Sequence, residues 1–164
     1  MRRIVVLSVA LAVVLAGCGT SGKKSTAGAE AQRQSDLYAI DQIERTWHKA
    51  SSTHNVDLMM TLWAPDATFN NGTETLNGKA EIRAFFTHKA GPFQPQNHWV
   101  SETPAYKIRT TVSGDKGTLY FECVYVDVKT GKVAAVVGAD QNVQKINGKW
   151  LITSLAGATP ALGS

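Results

Sequence analysis

Polar and apolar positions change their period partway along this chain. Between Ser35 and Thr53, Ile40, Ile43, Trp47 and Ala50 recur three or four positions apart, the spacing that aligns side chains along one face of an α-helix. Asn55 is a good N-cap, and Val56, Met59, Met60 and Trp63 follow at helical spacing, so a second helix is expected until Pro65 stops it. "DATFNN" (66–71) then reads as a short strand. Gly78 is a turn residue ahead of a third helix over 79–90, with Ile82, Phe85 and Phe86 inward and Gly91-Pro92 closing it. From there the period is two. Segments 97–112, 117–128, 132–146 and 149–156 read as strands, parted by the turn signals "SGDKG", "KTGK" and "NGK". Helices first and a meander afterwards predict an α+β domain. Three N-terminal helices would pack on one face of an antiparallel sheet of four main strands plus one short strand.

Everything ahead of Ser35 has a different character. Arg2 and Arg3 precede the apolar run "IVVLSVALAVVLA", which has the length of a secretory h-region and is short for a membrane span. The run meets Leu15-Ala16-Gly17-Cys18, small residues before a cysteine, which resembles a bacterial lipobox. In such signals the cysteine is diacylated and becomes the N-terminus after cleavage. Cys18 is therefore the expected lipidation site, carrying palmitate-like chains that anchor the protein to the membrane on its extracytoplasmic side. The expected division is a signal peptide over 1–17, a lipidated flexible tether over 18–34, a domain over 35–157 and a tail over 158–164. Gly19, where an aspartate would retain such chains in the inner membrane of some double-membraned bacteria, mildly favours the outer membrane there. A single-membraned host would display the domain on the outer face of its cell membrane.

Composition narrows the chemistry. The formal charge of +4 falls to about +2 without Arg2 and Arg3, and no Lys/Arg run interleaves with aromatics, so a nucleic-acid partner is not expected. With Cys18 acylated, Cys123 has no cysteine to pair with, and inside an apolar strand it reads as a packing residue. His48, His54 and His88 show no metal-ligand spacing, and neither a phosphate-binding glycine loop nor GxSxG occurs. No metal or cofactor is expected.

The order of elements, together with Asn55-Val56-Asp57, "LWAPDATF", "GKAEIRAFF" and the closing "NGKWLI", resembles the nuclear-transport-factor-2-like, or SnoaL-like, superfamily over about residues 35–157. The resemblance implies a cystatin-like cone, a curved sheet wrapping its helices around a pocket. It also allows many activities, ketosteroid isomerase and scytalone dehydratase among them, as well as binding domains without catalysis. Ketosteroid isomerases use an aspartate base, a tyrosine on the first helix and a protonated aspartate on a late strand. Here the base position falls on Asn71, whose amide cannot take a proton at useful pH, and the tyrosine position falls on Trp47. Only the late acid has a counterpart, Asp140. His98, in "QNHW", is similar in context to the strand-start histidine of scytalone dehydratase.

Two readings follow. In the first, the aromatic-rich cone binds a small hydrophobic ligand or a partner protein without catalysis, with Trp47, Trp63, Phe69, Asn71, Phe86, Tyr125 and Trp150 around the ligand. In the second, His98 and Asp140 are the acid/base pair of a lyase, hydratase or cyclase, which requires both to reach one ligand. A free sheet face could also support a homodimer, as the resemblance implies.

Overall fold

The expected apolar stripe is the buried face of α1 (Ser21–Ser52): Ile40, Ile43, Trp47 and Ala50 are each at most 7% exposed. The computed structural model describes residues 21–101 and 105–158. Cys18, the signal segment and residues 159–164 lie outside the described residues. Much of the stretch expected to be a flexible tether is helical, because α1 begins at Ser21 rather than Ser35. Residues 26–35 are exposed on every side, so no packing holds them. Alanine, glutamine, glutamate and arginine are good helix formers, and they extend a helix already nucleated by its packed half.

The second helix is short. α2 (Val56–Met60) opens where Asn55 Oδ1 accepts the Leu58 N–H at 2.8 Å, and it ends at Thr61. Trp63, expected on that helix, instead starts β1 (Trp63–Asn70). Pro65 sits in β1 where the register with β7 shifts between Trp63 and Thr68, an irregularity that tolerates a residue without an N–H. β2 (Thr75–Asn77) turns directly into α3 (Gly78–His88). There Glu81 Oε2 accepts the Asn77 N–H at 2.7 Å, and Gly78 takes a positive φ of 75°, conformationally open to glycine. A 3₁₀ turn over Gly91–Phe93 follows.

The strand expected over 97–112 is two strands. β3 (Trp99–Ser101) pairs with the far end of β5 (Lys116–Asp127), and β4 (Tyr106–Ser113) pairs with its beginning. β6 (Lys132–Ile146) and β7 (Lys149–Ala158) complete a sheet ordered β2-β1-β7-β6-β5-β3. The α+β class holds. Among the described residues the sheet, however, has seven strands and is mixed, because β1 runs parallel to β7. The sheet stays unclosed and curves around α1 and α3, with the core between. Among the described residues, every buried hydrophobic side chain lies between Ile40 and Leu155, so residues 35–158 contain the whole described core.

Candidate functional site

A cavity of about 240 Å³ opens between the helices and the inner face of the sheet. Trp47 of α1 and Phe85 and Phe86 of α3 form its helical wall, and Pro92 and Phe93 of the 3₁₀ turn close one side. Phe69, Tyr125, Val137, Ala139 and Leu155 form the sheet wall, with Gly138 and Gly157 keeping the backbone open to the space. The rings interlock: Phe86 stacks on Phe69 at 6.0 Å and meets Trp47 and Phe93 edge-on at 5.6 and 5.2 Å. Such pairs fix a wall more rigidly than aliphatic side chains do. Among the described residues, no Asp, Glu, His, Lys or Arg lines this cavity.

The lining residues with polar atoms are committed to the fold. The Tyr125 hydroxyl lies 3.4 Å from both Trp47 Nε1 and Ser51 Oγ, long contacts that aim it toward α1. Burial pushes its phenol well above the usual tyrosine range, so it stays neutral. Asn71 stands at the rim. Its Oδ1 accepts from the Thr73 N–H at 3.0 Å, the Thr73 hydroxyl at 2.8 Å and the Glu74 N–H at 3.0 Å. An amide here therefore makes the turn after β1.

Five of the seven expected ligand residues line the cavity: Trp47, Phe69, Asn71, Phe86 and Tyr125. Trp63 is a layer behind them, 1% exposed and packed on Trp47, Phe69 and Phe86. Trp150 points elsewhere, its Nε1 donating to Asp36 Oδ1 at 3.0 Å. The structure does not bring His98 and Asp140 together. Asp140 is exposed, because Ala139, Gln141 and Val143 take the inward positions of β6 and leave it the opposite parity. It borders a shallow groove with Thr68 and Ser154 on the outer face. His98 is half-buried beside the β5–β6 turn. There the Asp127 carboxyl is held below its usual range by the N–H groups of Thr130 and Lys129, with a smaller contribution from His98. Neither residue lines the cavity.

A buried polar chain escaped the sequence reading. Glu44 and His48, one turn apart on α1, are both fully buried, with Glu44 Oε1 3.2 Å from His48 Nε2. Glu44 Oε1 also accepts the Ala105 N–H at 2.8 Å. His48 Nδ1 lies 2.7 Å from Ser101 Oγ, and Nε2 lies 3.3 Å from Cys123 Sγ. Burial raises the Glu44 carboxyl and pushes the Cys123 thiol up to about 12, so the thiol is an inert packing group. The available signal was Glu44, His48 and Ser51 at i, i+4, i+7, bordering the apolar stripe. Among the described residues, no group of three His, Cys, Asp or Glu could hold a metal ion, and no helix is long and apolar enough to cross a membrane.

The family model for a SnoaL-like domain matches residues 44–150, and no curated protein matches the chain. Among solved structures, a cystatin-fold NTF2-like protein of Novosphingobium aromaticivorans superposes with a TM-score of 0.71 at 19% identity, covering 89% of this chain and 94% of its own. An NTF2-like protein of unknown function from Pseudomonas putida gives 0.67 at 13%, covering 77% and 88%. A cystatin-like protein of unknown function from Nostoc punctiforme gives 0.64 at 17%, covering 77% and 92%. At these identities the likeness shows the fold, and the family rests on the sequence model. The chain belongs to the SnoaL-like family, and its domain has the cystatin-like NTF2 fold.

Proposed function

We propose that this domain is a binding module, lipid-anchored through Cys18 on the extracytoplasmic side of the membrane, that holds a small neutral molecule in its aromatic cavity. The observation that carries the reading is the lining: ten apolar or aromatic side chains and three glycines surround Asn71 and Tyr125, with no charged group among them. Proton-transfer chemistry needs a group that changes protonation near working pH. Neither a turn-forming amide nor a phenol raised by burial does so, whereas an apolar enclosure suits retention of an uncharged ring compound. Its size fits such a guest, since an engineered apolar cavity of roughly 150 Å³ already takes benzene.

Native mass spectrometry of residues 35–158, purified from the source organism, tests the binding reading. A retained small molecule, or saturable uptake of naphthalene by calorimetry, is the expected result. An empty protein that also refuses naphthalene overturns it. The anchor is tested separately by labelling cells with an alkyne fatty acid: the full chain should carry label and sediment with membranes, and Cys18→Ala should do neither.

A further inference from the structure

We infer that the inner end of the cavity receives a hydroxyl group of its ligand, through Gln141 and Trp63. The inference rests on the binding reading above and names the class of guest: a neutral ring compound bearing a hydroxyl. Gln141 is 3% exposed, and neither Nε2 nor Oε1 of its amide has a hydrogen-bond partner among the described residues. Trp63 is 1% exposed, and its indole Nε1 is in the same condition. Buried polar atoms are costly without partners, and natural cores keep them rare. Three such atoms on two side chains of one core call for a shared explanation.

Strand register places both residues directly behind the lining. Gln141 pairs with Leu155, and Leu155 pairs with Phe69, so the three form one row across the inner face. Leu155 and Phe69 both line the cavity, as does Ala139, the inward neighbour of Gln141 on β6. The next row is Val143, Ile152 and Trp63. The Trp63 ring lies 6.1 Å from Trp47, 5.7 Å from Phe69 and 6.1 Å from Phe86, all lining residues. Gln141 is not itself a lining residue of the cavity, and it also borders the outer groove beside Asp140.

The donor and acceptor inventory selects the guest. An indole N–H only donates, while a glutamine amide donates and accepts. A hydroxyl is complementary to both, because its oxygen accepts an N–H and its proton goes to Oε1. A carboxylate would bring a charge into a wall without a cation, which costs far more than the hydrogen bonds return. An ammonium has only donors to offer, so it cannot accept the indole N–H.

The test uses residues 35–158, which hold the whole described core, and the probe pair 2-naphthol and naphthalene, measured by isothermal titration calorimetry. In the parent domain 2-naphthol should bind at least as tightly as naphthalene, although its hydroxyl gives up water. Gln141→Leu should shift the ratio against 2-naphthol by about tenfold or more, as expected when a buried hydroxyl loses its partner. Trp63→Phe, which keeps an aromatic ring and loses the N–H, should shift the ratio the same way and stands in if Gln141→Leu fails to fold. A parent domain that prefers naphthalene about tenfold, or variants that leave the ratio unchanged, overturns the inference while the binding reading stands. Internal water satisfying these groups would give that second outcome. Refusal of both probes overturns the inference and the binding reading together.

Discussion

Replacing Asp36 with asparagine removes a charge that ties the start of the packed half of α1 to the β6–β7 hairpin, beside its turn. Asp36 is 7% exposed. Its carboxylate accepts from Lys145 Nζ at 2.7 Å, Trp150 Nε1 at 3.0 Å and Gln32 Nε2 at 3.1 Å. The hydrogen bond from Lys145, then that from Trp150, holds its pKa at about 2 against an ordinary 3.8, with burial opposing them. At about 1.36 kcal/mol per unit, the ionised form contributes roughly 2 kcal/mol of stability at neutral pH. A depressed carboxyl gives stability that is present above the unfolded value and lost as pH falls through the folded one. The contribution should therefore be whole at pH 7, about half at pH 3 and nearly gone by pH 2. For a domain of this size, Asp36→Asn should lower Tm by roughly 5–10 °C at pH 7. Urea midpoints of residues 35–158 and the variant, followed by tryptophan fluorescence at pH 7 and pH 3, measure the difference. The fragment lacks Gln32 and the first part of α1; the Gln32 hydrogen bond lowers the Asp36 pKa less than those of Lys145 and Trp150 do. An equal loss at both pH values, or a loss below about 0.5 kcal/mol at pH 7, would refute the reasoning.

Three further changes test other parts of the fold. The Glu44 carboxyl is raised by burial, with Asp41 adding to the rise and Arg45 and the Ala105 N–H opposing it. Its stabilising contribution is therefore full below the unfolded value and withdrawn as pH rises through the folded one. Glu44→Gln should gain on the parent domain between pH 4.5 and pH 7.5, and a loss over that interval in urea midpoints would contradict the assignment. Gly117→Ala puts a Cβ 2.5 Å from the Thr111 carbonyl oxygen and 3.0 Å from Ile40 Cδ1, so it should destabilise by about 1–3 kcal/mol. A change within about 0.5 kcal/mol would mean that Thr111 of β4 and Ile40 of α1 both sit farther from Gly117 than described. Gln141→Leu removes two unpartnered buried atoms at similar shape and should raise stability by roughly 1–3 kcal/mol. A lower midpoint would show that the amide is already satisfied.

Much of this protein was legible in the local pattern. The α1 stripe, the Asn55 cap, the third helix and the three turn signals each rest on interactions within a few residues, and their order carried the fold. The stop expected at Pro65 was not one of them, because α2 already ends at Thr61 and Pro65 lies in β1. Asn71 was legible as an amide where a base would stand, but its reason was not: the turn it makes needs the geometry of Thr73 and Glu74. The aromatic character of the cavity was legible too, since so many rings cannot all be exposed.

What the sequence could not decide was direction. Alternation along β6 puts Val133 on the face of Val137 and Ala139. One extra residue between Tyr125↔Ala135 and Val126↔Val133 turns Val133 outward, to 60% exposure. The same kind of shift between Asn142 and Val143 lets Ile152 and Leu155 both face inward. Bulges are set by pairing between distant strands, and a single residue reverses every side chain beyond it. For that reason the presence of Asp140 and His98 was a fact of sequence, while their separation belongs to the tertiary structure. Trp63 and Trp150 were likewise readable as core, and only the packing of α1 decided that one backs the cavity and the other binds Asp36.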